Sequence, residues 1–399
     1  MRLNRNFKNL EENYLFAEVS KRVAAYNAEF PGSDLISLGI GDVTMPLSMK
    51  ATDACKEAAT DMSTKSGFRG YGPYDGYPFL KNAIVDYYKL HCVTINADEV
   101  FVTDGAKNGI GNFLDLFDED NTVLIPDPVY PAYVDANVLA GHKIVYADAT
   151  RENGFLAMPP KRVKADIIYL CSPNNPTGAA YTKDQLKEWV DYALANKAVI
   201  LYDAAYEAYI EGKDIPHSIF EVTGARDCAV EFCSFSKMAG FTGVRCGWTV
   251  IPMVSELNRM WLHRQAIKFN GTSYIVQRMG ERVLRGGYDD TKRMVAAYKD
   301  NAKIITKKFD SLGIEYTGGI NAPYIWFYCG IDSWQFFDYL LKKARIVSTP
   351  GCGFGNNGNG WIRLTSFNTK ERTEEAMARF ESFWKDFTAV RDKLFTLLD

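Results

Sequence analysis

No run of apolar residues in this chain approaches the ~20 that a bilayer crossing needs, so no membrane span is expected. The first residues, MRLNRNFKNLEENYLF, are polar and hold no apolar core of a secretory signal. Neither sign of charge dominates. The 46 Lys and Arg stand against 49 Asp and Glu, and a net charge of −3 favours neither nucleic acid nor an anionic membrane surface. Histidine is scarce. His91, His142, His217 and His263 lie far apart in sequence with no metal spacing, so no metal is expected, and no Ser/His/Asp constellation stands out. The eight cysteines form no CxxC pair. Several sit in apolar runs as small hydrophobes, which fits a reducing cytoplasm. Repeats and low-complexity segments are missing as well.

What is present is ordinary in bulk and specific in detail. The 399 residues exceed one ordinary domain, and 47% apolar with 24% charged residues describes an average globular protein. From about residue 98, short apolar runs alternate with helical patterns. Strands are expected at 100–103, 122–125, 143–146, 166–171, 198–202, 229–233 and 247–251. Thr182 followed by Gln185 is a capping box opening a helix. Such alternation means a mostly parallel sheet covered on both faces: an α/β large domain, placed at 46–290. A smaller α+β domain is expected from 291–399 together with 1–45, the latter read as an arm with an apolar knot at Tyr14, Leu15 and Phe16. Its elements are a helix at 289–312, strands at 322–328, 345–348 and 360–366, and helices at 333–344 and 371–398. Gly353, Gly355 and Gly358 match a dinucleotide fingerprint formally. A strand follows rather than a helix, so the cluster reads as a glycine-rich turn near the site.

Polar signatures at the strand ends carry the chemistry. The stretch EFCSFSKMAGFTGVRCGWTVI places Ser234, Ser236 and Lys237 after one apolar run and Arg245 before the next. A desolvated lysine is a nucleophile toward carbonyls, and hydroxyls with an arginine suit a phosphate. Pyridoxal phosphate, held as a Schiff base, uses both features; a surface lysine in a turn is the bland alternative. Asp203 ends another strand, where a buried carboxylate needs a cation such as a protonated pyridine ring. Tyr206 lies one turn on, and Asn175 follows the neighbouring strand, both as donors toward a phenolic oxygen. Gly105, Ala106 and Lys107 precede a helix and offer backbone N–H groups to a phosphate. Tyr130 could stack on a ring or fill the core. Arg363 alternates inward in the apolar run WIRLT, where it wants either a substrate carboxylate or an internal ion pair.

The order of Asn175-Pro-Thr-Gly, Asp203-x-x-Tyr206, Ser234-x-x-Lys237, Arg245 and Arg363 resembles the class I aminotransferases of pyridoxal phosphate fold type I. The runs RGYGPYDG, TDGAKNGI, DPVYPAYVDANVLAGH, CSPNNPTGAA and SFSKMAGFTGVRCGWTVIP carry the likeness over nearly the whole chain. The resemblance implies amino-acid and keto-acid substrates and ping-pong amino transfer, with a pyridoxal phosphate lyase using the same residues as an alternative. It implies Lys237 as Schiff-base lysine and proton shuttle, and Asp203 on the ring nitrogen. Asn175 and Tyr206 would meet the phenolate, and Tyr130 would stack. Ala106, Lys107, Ser234, Ser236 and Arg245 would hold the phosphate. The site would lie at a homodimer interface, with Tyr71 reaching in from the partner. Asn270 and Tyr14 would line the substrate site, and Arg363, with Gly41 nearby, would take the α-carboxylate. The runs are nearest to members whose substrate has an ammonium and a carboxylate at its far end. Those members usually carry an acid three positions after the residue matching Tyr71. Here Tyr74 stands there, with Asp75 beside it.

Overall fold

The computed structural model describes residues 1–10 and 14–396. Its strands, in chain order, are β1 (Ile36–Ser37), β2 (Val100–Thr103), β3 (Thr122–Asp127), β4 (Lys143–Asp148), β5 (Ile167–Cys171), β6 (Val199–Asp203), β7 (Ala229–Ser234), β8 (Gly247–Val250), β9 (Tyr316–Gly318), β10 (Tyr324–Tyr328), β11 (Ile346–Val347), β12 (Thr349–Pro350) and β13 (Trp361–Thr365). The helices are α1 (Leu15–Glu29), α2 (Met49–Met62), α3 (Pro78–Lys89), α4 (Ala106–Phe113), α5 (Pro131–Ala140), α6 (Lys183–Asn196), α7 (Phe235–Met238), α8 (Glu256–Lys268), α9 (Tyr274–Gly286), α10 (Tyr288–Leu312), α11 (Ser333–Ala344) and α12 (Lys370–Thr396). The expected end of the last helix at 398 lies outside the described residues.

Seven strands form one sheet in the order β2-β8-β7-β6-β5-β3-β4. The sheet is parallel from β7 through β6, β5 and β3 to β4, and only β8 runs against its neighbours. Its strands are apolar on both faces. Ile168, Leu170, Ile200 and Tyr202 join one core, while Ile167, Tyr169, Leu201 and Phe232 join another. Burial on both faces is why β5, and β7 apart from Glu231, read as apolar runs instead of alternating ones. The capping box forms as expected: Gln185 N–H donates to the Thr182 hydroxyl, and Thr182 N–H to the Gln185 side chain.

A second, antiparallel sheet has the order β12-β13-β10-β9. It packs with α10, α11 and α12 around Phe309, Phe327, Phe336, Phe380 and Trp384. β1 pairs in parallel with β11, within the run 35–42 of the segment 1–45, whose apolar residues and closing glycines read as a strand. The same segment holds α1, which buries Leu15, Val19 and Tyr26 against Trp326, Phe354 and Trp361.

The glycine cluster at 351–358 forms two short turns, neither of them a phosphate cradle. Asp127 fills its centre and accepts the N–H groups of Asn356 and Asn357 at 3.0 and 3.2 Å. Phe354 from this turn reaches the site described next.

Candidate active site

A cavity of about 440 Å³ opens at the C-terminal ends of the parallel strands. It is lined by Gly41, Ala106, Lys107, Tyr130, Asn175, Asp203, Tyr206, Ser234, Ser236, Lys237 and Arg245, among others. Eleven residues named from sequence thus share one wall system. The position is the one an open α/β sheet dictates, because strand ends and helix starts leave backbone groups and loops free there.

Lys237 arrives there because β7 runs directly into the single turn of α7. Ser234 caps that turn by accepting the Ser236 N–H at 3.0 Å. The Tyr209 hydroxyl donates to the Lys237 carbonyl at 3.2 Å and pins the backbone. The amine donates to the Gly41 carbonyl and lies 5.3 Å from the Phe367 ring centre. Burial pulls its pKa down to about 8; the charge of Asp42 opposes this shift, and Arg363 and Arg245 add to it. Such an amine releases its proton far more readily than a surface lysine does.

Asp203 ends β6 and is buried. Its carboxylate accepts the Tyr133 hydroxyl and the Ala205 N–H, the latter at 3.0 Å. Burial raises its pKa, and those two bonds only partly offset the rise. Among the described residues no cation pairs with it.

Arg363 sits on β13, fully buried, opposite Trp326 and Thr349 in register. One terminal nitrogen donates to Asn175 Oδ1 at 2.7 Å. The other donates to the Gly39 carbonyl at 2.6 Å and to Thr349 Oγ1 at 3.3 Å. The Tyr324, Phe354 and Phe16 rings surround it, with centres 4.5, 4.9 and 5.4 Å from the guanidinium carbon. Its Nε is buried without a partner. No carboxylate among the described residues pairs with it, so the internal ion pair weighed against a substrate role is absent. The bond from Arg363 also orients the Asn175 amide, which leaves the Asn175 Nδ2 donors for a ligand in the cavity.

At the other end, α4 begins at Ala106 after Gly105, whose φ is +121°. That backbone conformation is what asks for glycine, and the Arg245 guanidinium lies against the open side of Gly105. Arg245 itself holds a left-handed φ of +66° and donates to the Thr242 carbonyl at 2.9 Å. The α4 N-terminus, Ser234, Ser236 and Arg245 together make an anion cup. The Lys107 amine bends away from that cup, over the rings of Tyr14 and Tyr130 at 5.2 and 5.7 Å. Its contribution to the cup is therefore its backbone.

Tyr14 approaches the cavity through Lys107, whereas Tyr71 and Asn270 are exposed and do not line it within this chain. Asp75 forms a part-buried ion pair with Lys81. It is committed there, while Tyr74 is exposed.

Tyr133, Tyr324 and Gly39 escaped the sequence reading. Tyr133 lies one helical turn after Tyr130 and grips Asp203. Tyr324 hydrogen-bonds Tyr206, hydroxyl to hydroxyl, at 2.7 Å. It also approaches Gly41 so closely that a Cβ there would meet its oxygen at 2.7 Å. The one available signal for Tyr324 was its alternation with Trp326 in the run APYIW.

Pyridoxal phosphate asks for an anion cup, a carboxylate for a ring N–H⁺, donors for a phenolate and a reactive amine. The cavity has all four, and the cationless Asp203 is the sharpest fit, because a protonated ring nitrogen supplies the charge it lacks.

A family model described as aminotransferase class I and II matches residues 33–380. An LL-diaminopimelate aminotransferase from Methanosphaera stadtmanae is 48% identical over 95% of this chain and 98% of its own length. One from Parabacteroides distasonis is 46% identical over 96% of this chain and 99% of its own. The solved structure of the L,L-diaminopimelate aminotransferase from Chlamydomonas reinhardtii superposes with a TM-score of 0.91 at 40% identity, covering 96% of this chain and 98% of that one.

Proposed function

We propose, because this chain belongs to the class I and II aminotransferases, that it is a pyridoxal phosphate-dependent LL-diaminopimelate aminotransferase. The amino group leaves glutamate, which becomes 2-oxoglutarate, and is delivered to the open keto form of tetrahydrodipicolinate to give LL-diaminopimelate, a step in lysine synthesis. The observation that carries the chemistry is the shared cavity of a desolvated Lys237 and a cationless Asp203.

The bound cofactor supplies a carbonyl for the amine and a protonated ring that accepts electrons from the substrate Cα. Lys237 Nζ, once released, removes and returns the proton at the substrate Cα, a task its lowered pKa suits near neutrality. Asp203 holds the ring proton in place, and Tyr133 holds Asp203. Asn175 Nδ2 and the Tyr206 hydroxyl offer donors on the opposite side. Arg363 binds the α-carboxylate through its unpartnered Nε–H, walled from water by Phe16, Tyr324 and Phe354. Ala106, Lys107, Ser234, Ser236 and Arg245 hold the phosphate, and Tyr130 covers the ring. The exposure of Tyr71 and Asn270 supports a homodimer in which each chain completes the other's site, and the free cysteines suit a cytoplasmic setting.

A second reading keeps the cofactor and changes the substrate to aspartate, an aromatic or another amino acid. The position of Tyr74 and the capture of Asp75 by Lys81 favour it, since neither residue offers a free acid to a distal ammonium. A stopped-flow scan of amino acids against the loaded protein, read as the change in cofactor absorbance, separates the two. LL-diaminopimelate and glutamate should react fastest. A protein that responds to aspartate or an aromatic donor and ignores LL-diaminopimelate carries the second reading. Lys237→Ala should remove the lysine-bound absorbance band, and full turnover without Lys237 would end both.

A further inference from the structure

Beside the turn that follows Tyr206, two histidines 126 residues apart in sequence lie face to face. The His91 and His217 rings are 4.1 Å apart, with 19° between their planes. Glu207 completes the group, and one ligand atom from each of the three lies within 4.8 Å of the others. Separation in sequence, which argued against a metal, says nothing about this pair.

The group is held from all sides. The Tyr87 hydroxyl donates to one Glu207 oxygen, and His217 Nδ1 lies 3.2 Å from the other. The backbone of the His217 loop is fixed by Glu221, which accepts the N–H groups of His217 and Ser218 at 2.7 and 3.1 Å. His91 is seated in the turn closing α3, its N–H on the Tyr88 carbonyl at 3.0 Å, with the Tyr87 ring edge-on at 5.4 Å. Its Nε2 is buried with no hydrogen-bond partner. An orphaned imidazole nitrogen beside a second imidazole and a buried carboxylate is costly as it stands. A cation bridging the three removes that cost.

We propose that His91, His217 and Glu207 form a binding site for a divalent transition-metal ion such as Zn²⁺. Two imidazoles and a carboxylate are a donor set such an ion accepts, with bonds of about 2.0–2.2 Å and water in the remaining position. Because each imidazole lone pair lies in its ring plane, the two rings turn out of their parallel stack as the donors come about 1 Å closer together. The half-exposed His217 ring gives the ion its way in. Tyr87, through its bond to Glu207, orients the carboxylate from outside the ligand set. The ion would tie the end of α3 to the turn Glu207–Tyr209, which carries Tyr206 before it and anchors the Lys237 carbonyl through Tyr209. Its effect is on the rigidity of that turn, outside the amino-transfer chemistry.

The test uses the full-length, tag-free, cofactor-loaded protein stripped by chelator. Titration with Zn²⁺ by calorimetry should show one site per chain, and Co²⁺ should give d–d absorption of nitrogen and oxygen ligation with no thiolate charge-transfer band. His217→Ala and His91→Gln should each weaken binding at least tenfold and abolish the rise in melting temperature that Zn²⁺ causes. Cys92→Ser, which alters the exposed thiol next to His91, should change neither. Circular dichroism of each stripped variant confirms that it is folded. If one histidine variant is not, the other carries the comparison. No saturable site, binding unchanged in the histidine variants, or binding lost in Cys92→Ser would each overturn the proposal.

Discussion

Two buried carboxylates stand one strand apart in the main sheet and behave differently. Asp203 ends β6 and Glu231 lies within β7, where it pairs in register with Tyr202. Both are buried, and burial raises the pKa of both. Glu231 is enclosed by donors: the Tyr88 hydroxyl on one oxygen, and the Ser218 hydroxyl and Ile219 N–H on the other, both at 2.8 Å. Asp203 has Tyr133 and the Ala205 N–H, and faces a cavity. Charge in a sheet core is tolerable when hydrogen bonds close around it. A carboxylate left open toward a cavity awaits a ligand. Satisfaction, rather than burial, separates the acid proposed to hold a ligand from the enclosed one.

The comparison is broken most severely at Asp203. Asp203→Asn keeps the shape and removes the charge proposed to hold the ring proton. Loss of a buried ion-pair partner costs about 3–5 kcal/mol, on the order of 10³-fold in rate. The turnover of saturated Asp203→Asn enzyme checks this, and a loss under tenfold would place Asp203 with Glu231 as a structural acid. The next effect belongs to Arg363, the cation whose partner is likewise missing. Arg363→Lys keeps charge and loses the fork, removing one charge-assisted bond to the α-carboxylate, about 10–100-fold in kcat/KM. The loss should fall mainly on KM. An unchanged KM with lowered kcat would show that Arg363 does not hold the carboxylate.

Asp203, Arg363 and Lys237 were legible in sequence for one reason: each is a charge in or beside an apolar strand, where chance rarely leaves one. The sheet was legible because strands buried on both faces are continuous apolar runs. Helix α8 was not. It buries Asn258 and Gln265 beside Trp261, and a helix buried through polar residues shows no apolar stripe. α9 went unread although Val276, Met279 and Val283 share its buried face. α5 was not read, because it opens directly after Pro126 and Pro128 with Pro131 at the first helical position, where its missing N–H costs nothing. α1 passed as an arm because only Leu15, Val19 and Tyr26 of its fifteen residues are buried. The meeting of Tyr133 with Asp203, and of His91 with His217, depends on packing between distant segments, which no local pattern encodes.

The smallest effect on activity, and the cleanest on stability, is expected at Glu231. Its carboxyl is raised from 4.5 to about 7 by burial, partly opposed by its hydrogen bonds. The folded protein therefore holds this proton more tightly than the unfolded chain does. Between pH 4.5 and 7 the native state binds more protons, so stability falls as pH rises through that window and is level above it. A shift of that size amounts to about 3 kcal/mol across the window. Glu231→Gln carries no titrating proton. Its amide oxygen still accepts from Ser218 and Ile219, and the Tyr88 hydroxyl can turn toward Cys233 Sγ, 3.4 Å away. Urea denaturation at pH 5 and pH 8 should show the native protein losing stability at the higher pH from this group while the variant does not. Saturated turnover should stay within about twofold, because Glu231 touches no cavity residue's reacting atom. Parallel stability profiles for the two proteins would show that the enclosing donors already hold Glu231 ionised. A large loss of turnover in the variant would erase the distinction between the two acids.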